Sequence, residues 1–482
     1  MTTTGHNIGK LYFDLELGSE KQALEIQEKL SNYSKNEISD ILEKSFNNVV
    51  PDDSIAVINR LEIDLGEIPF VNFNEEFLDL FKSSLNKKLS GIQFDTLQDK
   101  ENVHLYKKIQ SDAEILKTFL LSGKIPWYQE GIKTDLQAIF EELIESENPD
   151  NILAFIRENI SNSDFMNRLV YQFPEKMVNK LIETIYHIRI YPYLKFIKQL
   201  LTILKRASIP AIQIAATIDL LRIILIGMIV ESGDKVAINF EENFLMKLAG
   251  KISVEFKDIL GQLQVAGPVA DRDIALKIRN FHKKAGTILK KEPELSKKEI
   301  LETEENILFR EDYYDLSSTS YISNAGLVLL HPFLPELFKK LNYIKGNKFT
   351  GEPAIFKAIH LLQYIASGNQ PHPEYLLVLN KVLCGYPTQK PVPLKISLNR
   401  QEKAAATRMV NAAIKHWTVL KNTSARAFRN NFLQRQGILK QEENKWKLLV
   451  ERKSYDVLLD RIPWSYNIVK LAWMKNLIET EW

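Results

Sequence analysis

Chemistry in this chain would have to be built from eight histidines, one cysteine and a few paired carboxylates. Histidine is the usual proton carrier and metal ligand near neutral pH. His331, His360 and His416 lie in the last third of the sequence, and His372 sits in a proline-flanked loop. None of the eight forms an HxxxH or HExxH pair, so local metal spacing is absent and packing or capping roles are expected. Cys384 follows an apolar run and precedes Gly385, the setting of a buried thiol rather than a nucleophile. A lone cysteine also excludes an intrachain disulfide framework and argues against a Cys-based zinc site. Asp14 and Glu16 could meet Glu62 and Asp64 across two strands. Alternation demands polar residues on a solvated sheet face in any case, so a carboxylate metal site is not expected there. No GxxxxGK[ST], GxGxxG or GxSxG occurs, which leaves phosphate cradles and nucleophile elbows without support. The expectation is a non-enzyme with no catalytic residue, metal or cofactor.

Charge restricts the partners. The chain has 482 residues and a formal charge of +2, with 45% hydrophobic and 26% charged residues. These are the proportions of an ordinary globular protein, with no global field to draw in nucleic acid or lipid. The N-terminus, MTTTGHNIGK, has no basic start followed by an apolar core, so no signal peptide is read. One local basic set stands out: Lys421, Arg426, Arg429, Arg435 and Lys440, on a helix that runs into a strand. Helix, strand and hairpin with that charge would suit a winged-helix DNA binder, regulator or adaptor, which is the alternative function carried forward.

The elements that would position these residues are mainly helical. The pattern predicts a multi-domain helical protein with a small N-terminal α+β unit (1–72) and a few short C-terminal strands. A short-helix array (73–190), a helical region with an apolar helix and charged linker (191–305) and a C-terminal domain (306–482) complete it. In the first unit, Leu11–Leu17 and Ile58–Leu65 alternate and are predicted to pair as strands around two helices. The stretch 209–230, IPAIQIAATIDLLRIILIGMIV, is long enough for a bilayer. Asp219 and Arg222 sit inside it at i, i+3, so a buried helix is expected instead of a span. Residues 289–306 alternate charge as a solvated linker, and the acidic-aromatic run 311–315 precedes the last domain.

That last domain holds the densest Trp, Pro and apolar patterning. Asn324 is a predicted N-cap, and Pro332 and Pro335 split 324–341 into two short helices. Helices follow over 353–366, 375–383, 401–420 and from Ser424 to 436. Strands are expected near Trp446–Glu451, 468–473 and 478–482.

The same stretch carries a resemblance. Asn324-Ala325-Gly326-Leu327, Leu330-His331-Pro332-Phe333-Leu334-Pro335 and Phe338 open it. His360 to Tyr364, Leu379 to Gly385, His416-Trp417, Leu420 to Ser424 and Phe432 to Arg435 continue it. Trp446, Val450-Glu451, Asp456 to Asp460, Pro463-Trp464-Ser465, Trp473-Met474 and Glu481-Trp482 close it. Together these resemble the tape measure proteins of contractile injection systems, phage-tail-like particles with a sheath around a rigid tube. Leu61 to Gly66 and the 123–127 segment are similar more weakly, and Ala472 stands where the family pattern has proline. The resemblance implies a structural assembly component that sets inner-tube length and contacts the baseplate or spike. It also implies a location in the cytoplasm during assembly and then within the particle. Tube, baseplate and spike proteins would be its partners, with no small-molecule substrate, nucleic acid or membrane. Homo-oligomerisation stays open. The motif residues implied for docking or packing are His331, Pro332, Phe333, Pro335, His360, Gln363, Tyr364, Trp417, Lys421, Asn422, Arg435, Trp464 and Trp473.

Overall fold

A computed structural model describes residues 8, 11–35, 37–47, 54–58, 60–91, 103–126, 129, 134–146, 149–206, 211–251 and 319–482. The charged linker 289–306, the run 311–315, the turn at 51–53 and Trp127 lie outside the described residues. The fold is mainly α, as the sequence pattern predicts, and divides into two units. The first comprises Met1–Lys117 and Ile125–Leu143, the second Thr118–Lys124 and Ile144–Trp482.

The first unit is built on α1 (Glu20–Lys35), α2 (Glu37–Asn47) and α3 (Phe73–Ser90). Phe73, Phe77, Phe81, Leu85 and Leu89 recur at helical spacing on α3 and pack against Ile26, Leu30, Ile38 and Leu42. Phe77 stacks between Phe73 and Phe81, with ring centroids at 4.9 and 6.3 Å. The predicted pairing of 11–17 with 58–65 does not form. β1 (Ser54–Ile58) instead pairs antiparallel with β2 (Val103–Lys107). Phe13, Leu61, Ile63 and Leu65 spend their alternation on the helical core, with one face packed and the other wet. Alternation marks a one-sided segment; it does not supply a partner strand.

The second unit begins with an array of short helices. These are the end of α4 (Lys108–Ser122), the last two residues of α5 (Leu136–Glu145), α6 (Asp150–Asn159), α7 (Ser163–Gln172), α8 (Glu175–Tyr186), α9 (Tyr191–Arg206), α10 (Ala211–Ser232) and α11 (Phe240–Lys251). Asn162 caps α7, its side chain accepting from the amides of Asp164 and Phe165. The long apolar helix α10 is packed against α7, α8, α9 and α11, which accounts for its nearly uniform hydrophobicity. Its Arg222 reaches Asp219 at 3.5 Å and donates to the Val170 carbonyl at 3.1 Å. Among the described residues no helix is long and apolar enough to cross a membrane.

The C-terminal part of this unit wraps helices around a five-stranded sheet. β3 (Thr319–Ile322) leads into a nine-residue 3-10 helix, Ala325–Phe333, buried from Ala325 to Leu330. α12 (Leu334–Lys340) follows, so the two prolines do separate two helices, the first tighter than an α-helix. A short hairpin, β4 (Ile344–Lys345) and β5 (Lys348–Phe349), precedes α13 (Glu352–Ser367). After α14 (Val378–Leu383), α15 (Arg400–His416) starts at a capping box between Asn399 and Glu402. α16 (Ala425–Phe428) is one turn capped by Ser424, continued by a π turn over Arg429–Leu433. β6 (Gly437–Gln441), β7 (Lys445–Val450), β8 (Ile468–Val469) and β9 (Leu477–Glu481) complete the sheet in the order β3-β6-β7-β9-β8. β7 and β9 run parallel.

This topology bears on the winged-helix reading. A free wing would need β6–β7 at an edge, yet β3 and β9 flank them on both sides. The helix before them has one α turn, and two of the five cations of the basic set point inward. Arg429 donates to the Ile365 carbonyl, and Arg435 is buried. A recognition helix with that basic face is not built here.

Candidate functional site

Three buried polar knots hold the second unit together, and two of the motif residues, Gln363 and Arg435, belong to them. The first is ionic. Glu374, just after Pro373, has a fully buried carboxylate. Arg168 on α7 donates to it from Nε at 3.1 Å and Nη2 at 3.3 Å, and Lys381 on α14 from Nζ at 2.6 Å. Two cations around one anion leave an excess positive charge away from water. Backbone carbonyls offset it: Leu120 and Gln389 accept from Arg168, Thr388 and Lys390 from Lys381. All three Lys381 N–H bonds are thereby used. Burial pulls the Lys381 ammonium below its ordinary pKa, and Glu374 holds it up. The same place needs Gly123. It has φ +75°, and a Cβ there would stand 2.4 Å from Glu374 Oε1. Gln172 extends the knot, donating to the Val392 carbonyl at 2.6 Å and accepting from the Glu374 amide at 3.2 Å. The proline-rich loop 387–393 is thus strapped to α7.

The second knot is neutral. Asn324 Nδ2 donates to Gln363 Oε1 and Asn380 Oδ1, both at 2.7 Å, and Asn380 Nδ2 donates to the Ile359 carbonyl at 2.9 Å. Asn324 was expected to cap the helix after it; its side chain makes no cap bond and turns into this knot instead. The third knot is a corner. Arg435 pairs with both carboxylate oxygens of Asp456 and donates to the Glu451 carbonyl at 3.0 Å. Its guanidinium lies 4.8 Å from the Tyr455 ring and 5.5 Å from that of Trp482, whose Nε1 also donates to Asp456 at 3.0 Å.

The tryptophans join these knots to the apolar core. Trp417 is fully buried and donates to the Leu458 carbonyl at 3.2 Å. Trp464 and Trp473 are half-buried and reach the carbonyls of Leu329 at 2.9 Å and Leu383 at 2.8 Å. Phe333 packs edge-on against Trp464 at 5.1 Å. Tyr364 receives Lys403 and Arg429 over its ring at 5.6 and 5.9 Å. Gln363 belongs to the neutral knot. Of the motif residues only Pro332, Pro335, Lys421 and Asn422 are exposed. Those four are the ones free to touch another molecule.

The would-be chemistry is spent on structure. His331 Nδ1 lies 2.9 Å from the Val328 carbonyl and His360 Nε2 lies 2.8 Å from that of Pro393. Burial lowers the pKa of both, that of His360 to about 4. Burial pushes the Cys384 thiol up, away from the thiolate a nucleophile needs. Ser367 Oγ meets His372 Nε2 at 3.0 Å, but that nitrogen also faces the Asn369 carbonyl at 3.0 Å. A nitrogen beside a carbonyl carries the proton, so it cannot act as the base for Ser367. Among the described residues no three His, Cys, Asp or Glu side chains are placed to hold a metal ion. Glu62 is paired with Arg60, and Asp64 accepts from the Gly66 amide.

His360 gives a pH prediction. Its folded pKa of about 4 lies below the ordinary 6.5, so the unfolded state binds the proton more tightly. Stability is full above pH 6.5 and falls as pH drops towards 4, by about 3 kcal/mol at most. Asp219, raised by burial to about 6, pulls the opposite way between 3.8 and 6. Urea midpoints of wild type and His360→Asn measured from pH 7.5 to 4 isolate the histidine (experimental range, about three pH steps). The gap between the two proteins is expected to change across that window; parallel curves would refute the assignment.

Buried polar knots, in which Asn324 Oδ1 alone of the named knot atoms is left without a partner, pinned tryptophans and reactive groups turned to packing describe a structural scaffold. The comparison with known families specifies which one. The family model of the contractile injection system tape measure protein matches residues 5–482, and this chain belongs to that family. It is a component of a contractile injection system particle. No curated protein and no solved structure matches it.

Sequence reasoning missed Arg168 and Glu374, and it held Asn380, Lys381 and Asp456 only as parts of the resemblance, with no role. Lys381 and Arg168 did leave a signal, a charge at a core position of an apolar helix: Lys381 within VLNKVL and Arg168 between Phe165 and Leu169. Glu374 left none, because nothing local marks it as buried.

Proposed function

We propose that this chain sets the length of the inner tube during particle assembly, in the cytoplasm, and docks by its C-terminal part onto baseplate or spike proteins. The observation that carries the reading is the family match, which takes in residues 5–482 and therefore both units. The packing supports a division of labour. Residues 319–482 form a dense core with Pro332, Pro335, Lys421 and Asn422 left on the surface, as a docking module requires. The helices before it are joined by brief connections, and α9 to α11 lie outside the knots that tie α7 to the C-terminal part. A chain of this length drawn out as continuous helix would reach on the order of 700 Å, at about 1.5 Å per residue. The folded form is then the form before loading, and the helical array is the part that rearranges along the tube.

Deletions within 191–251 test the ruler, with tube length read from electron micrographs of purified particles. The tube is expected to shorten with each deletion, by roughly 1.5 Å per residue removed if the loaded segment is helical. A tube of constant length would overturn the reading. Lys421→Glu with Asn422→Asp tests docking: it is expected to abolish co-purification with baseplate proteins while leaving the melting temperature unchanged.

A further inference from the structure

The net charge of +2 conceals a segregation. Residues 11–91 carry sixteen Asp and Glu against eight Lys and Arg, while residues 184–218 carry five Lys and Arg and no acid. Two charges from each stretch stand together on an exposed helical ridge. On α9 the ridge is Tyr191, Lys195 and Lys198, with Tyr191 72% exposed. A shallow groove runs along it, lined by Tyr191, Leu194, Lys195, Lys198, Gln199 and Thr202. Neither lysine has a carboxylate within ion-pair distance among the described residues, and the three nearest helical turns offer none in sequence. In the first unit Glu75 and Asp79 stand at i, i+4 near the start of α3, and Val71, 91% exposed, lies just before them in the 3-10 turn Phe70–Asn72. Glu75 and Asp79 have no cation partner among the described residues.

The two ridges match in order and length. Each begins with a large apolar residue left in water and continues with two unpaired charges, positive on one and negative on the other. At about 1.5 Å per residue, Glu75 to Asp79 spans roughly 6 Å and Lys195 to Lys198 roughly 4.5 Å. Laid parallel, Val71 meets Tyr191, Glu75 meets Lys195 and Asp79 meets Lys198. Other occupants fit less well. A lipid surface needs an apolar helix face to insert, but Phe196, Ile197 and Leu200 of α9 are buried in the core. A nucleic acid needs a ladder of cations, and this ridge offers two with an aromatic head.

We propose that the α9 ridge of one copy of this chain receives the α3 ridge of a second copy. The two surfaces differ, so each copy keeps one of each free and association continues beyond two unless it closes in a ring. The proposal does not rest on the tube-length reading.

Sedimentation of the full chain over a range of concentrations tests it. Wild type is expected to show concentration-dependent mass at low salt that declines at high salt, as screening weakens exposed pairs. K195E/K198E alone and E75K/D79K alone are each expected to weaken self-association at least tenfold, by placing like charges opposite each other. Mixed together, the two variants are expected to associate with one another, because each then carries the complement of the other's ridge. That mixture also reports whether the variants are folded. A wild type that stays monomeric at low salt would overturn the proposal, as would association indifferent to both reversals or variants that fail to combine. Binding of monomeric protein to phosphatidylserine vesicles or duplex DNA, lost in K195E/K198E, would overturn it too and reassign the ridge.

Discussion

Gly326→Ala is expected to prevent the C-terminal part of the second unit from packing. Gly326 lies in the 3-10 helix that follows β3, where the backbone passes directly over the π turn of 429–433. A Cβ at this position would stand 1.7 Å from the carbonyl oxygen of Phe432, 2.6 Å from its carbon and 2.8 Å from the Leu433 Cα. All three are backbone atoms, so no rotamer change makes room. Either the 3-10 helix moves out of a core in which Leu327, Val328, Leu329 and Leu330 are all fully buried, or the π turn moves and takes Phe432 with it. Overpacking of side chains ordinarily costs about 1–3 kcal/mol. A clash between two backbones falls in the exceptional class above about 4–5 kcal/mol, comparable with the whole stability of many domains. The expected result is loss of soluble protein, or a soluble chain whose 319–482 region is cut rapidly by protease. Gly227→Ala is the control. It sits within α10, where the nearest atom to a new Cβ is Met166 Cε at 3.9 Å, so the change is expected to be neutral or slightly stabilising. A Gly326→Ala protein with wild-type melting behaviour would mean that the two segments do not approach as described.

The helices were legible because burial imprints a 3.6-residue period on each of them. Phe77, Phe81 and Leu85 announce α3, and Ile359, Leu362 and Ile365 announce α13. Caps were legible where a side chain serves its own helix, as Ser424 does for α16. They were not where tertiary contacts took the side chain, as Gln363 and Asn380 take that of Asn324. Strand pairing was the weak point. β3 and β6 were not expected, because each is four or five residues long and its pattern is set by a partner more than a hundred residues away in sequence. The alternation of 58–65 misled for the opposite reason: a helix bundle can bury one face of an extended segment as well as a sheet can. The motif residues were found by resemblance, and their spacing gave no hint of which were buried. Only burial separates Trp417 and Arg435, which hold the interior, from Lys421 and Asn422, which face outward.

Glu374→Gln is the second change expected to act strongly. The substitution keeps the shape of the side chain and removes the carboxylate that bonds both Arg168 and Lys381. Arg168 and Lys381 would then face one another with neutral carbonyl oxygens in place of the charge they share. Breaking a buried ion pair from one side costs about 3–5 kcal/mol, because a charge is left uncompensated away from water. Lys381→Met is expected to cost less, about 1–3 kcal/mol. Glu374 keeps its two bonds from Arg168, and the loss is confined to the carbonyls of Thr388 and Lys390. The double variant should lose less than the sum of the two, since removing Lys381 relieves the repulsion that Glu374→Gln creates. Urea unfolding of the four proteins, followed by tryptophan fluorescence, closes the cycle. Protease cleavage within 387–393 adds a local reading, for the strap is held to α7 through Arg168 and Gln172 and to α14 through Lys381, and should open first. If Glu374→Gln lies within 1 kcal/mol of wild type, or the double variant is simply additive, the triad is not the unit described (thresholds set by the usual coupling range of about 0.5–3 kcal/mol). A positive result would give the knot a purpose beyond stability. An apolar cluster would hold the strap as firmly but in several registers, whereas three charges bonded to the carbonyls of Thr388, Gln389 and Lys390 permit one. That fixes the surface next to the strap in a single form for whatever the particle presents to it.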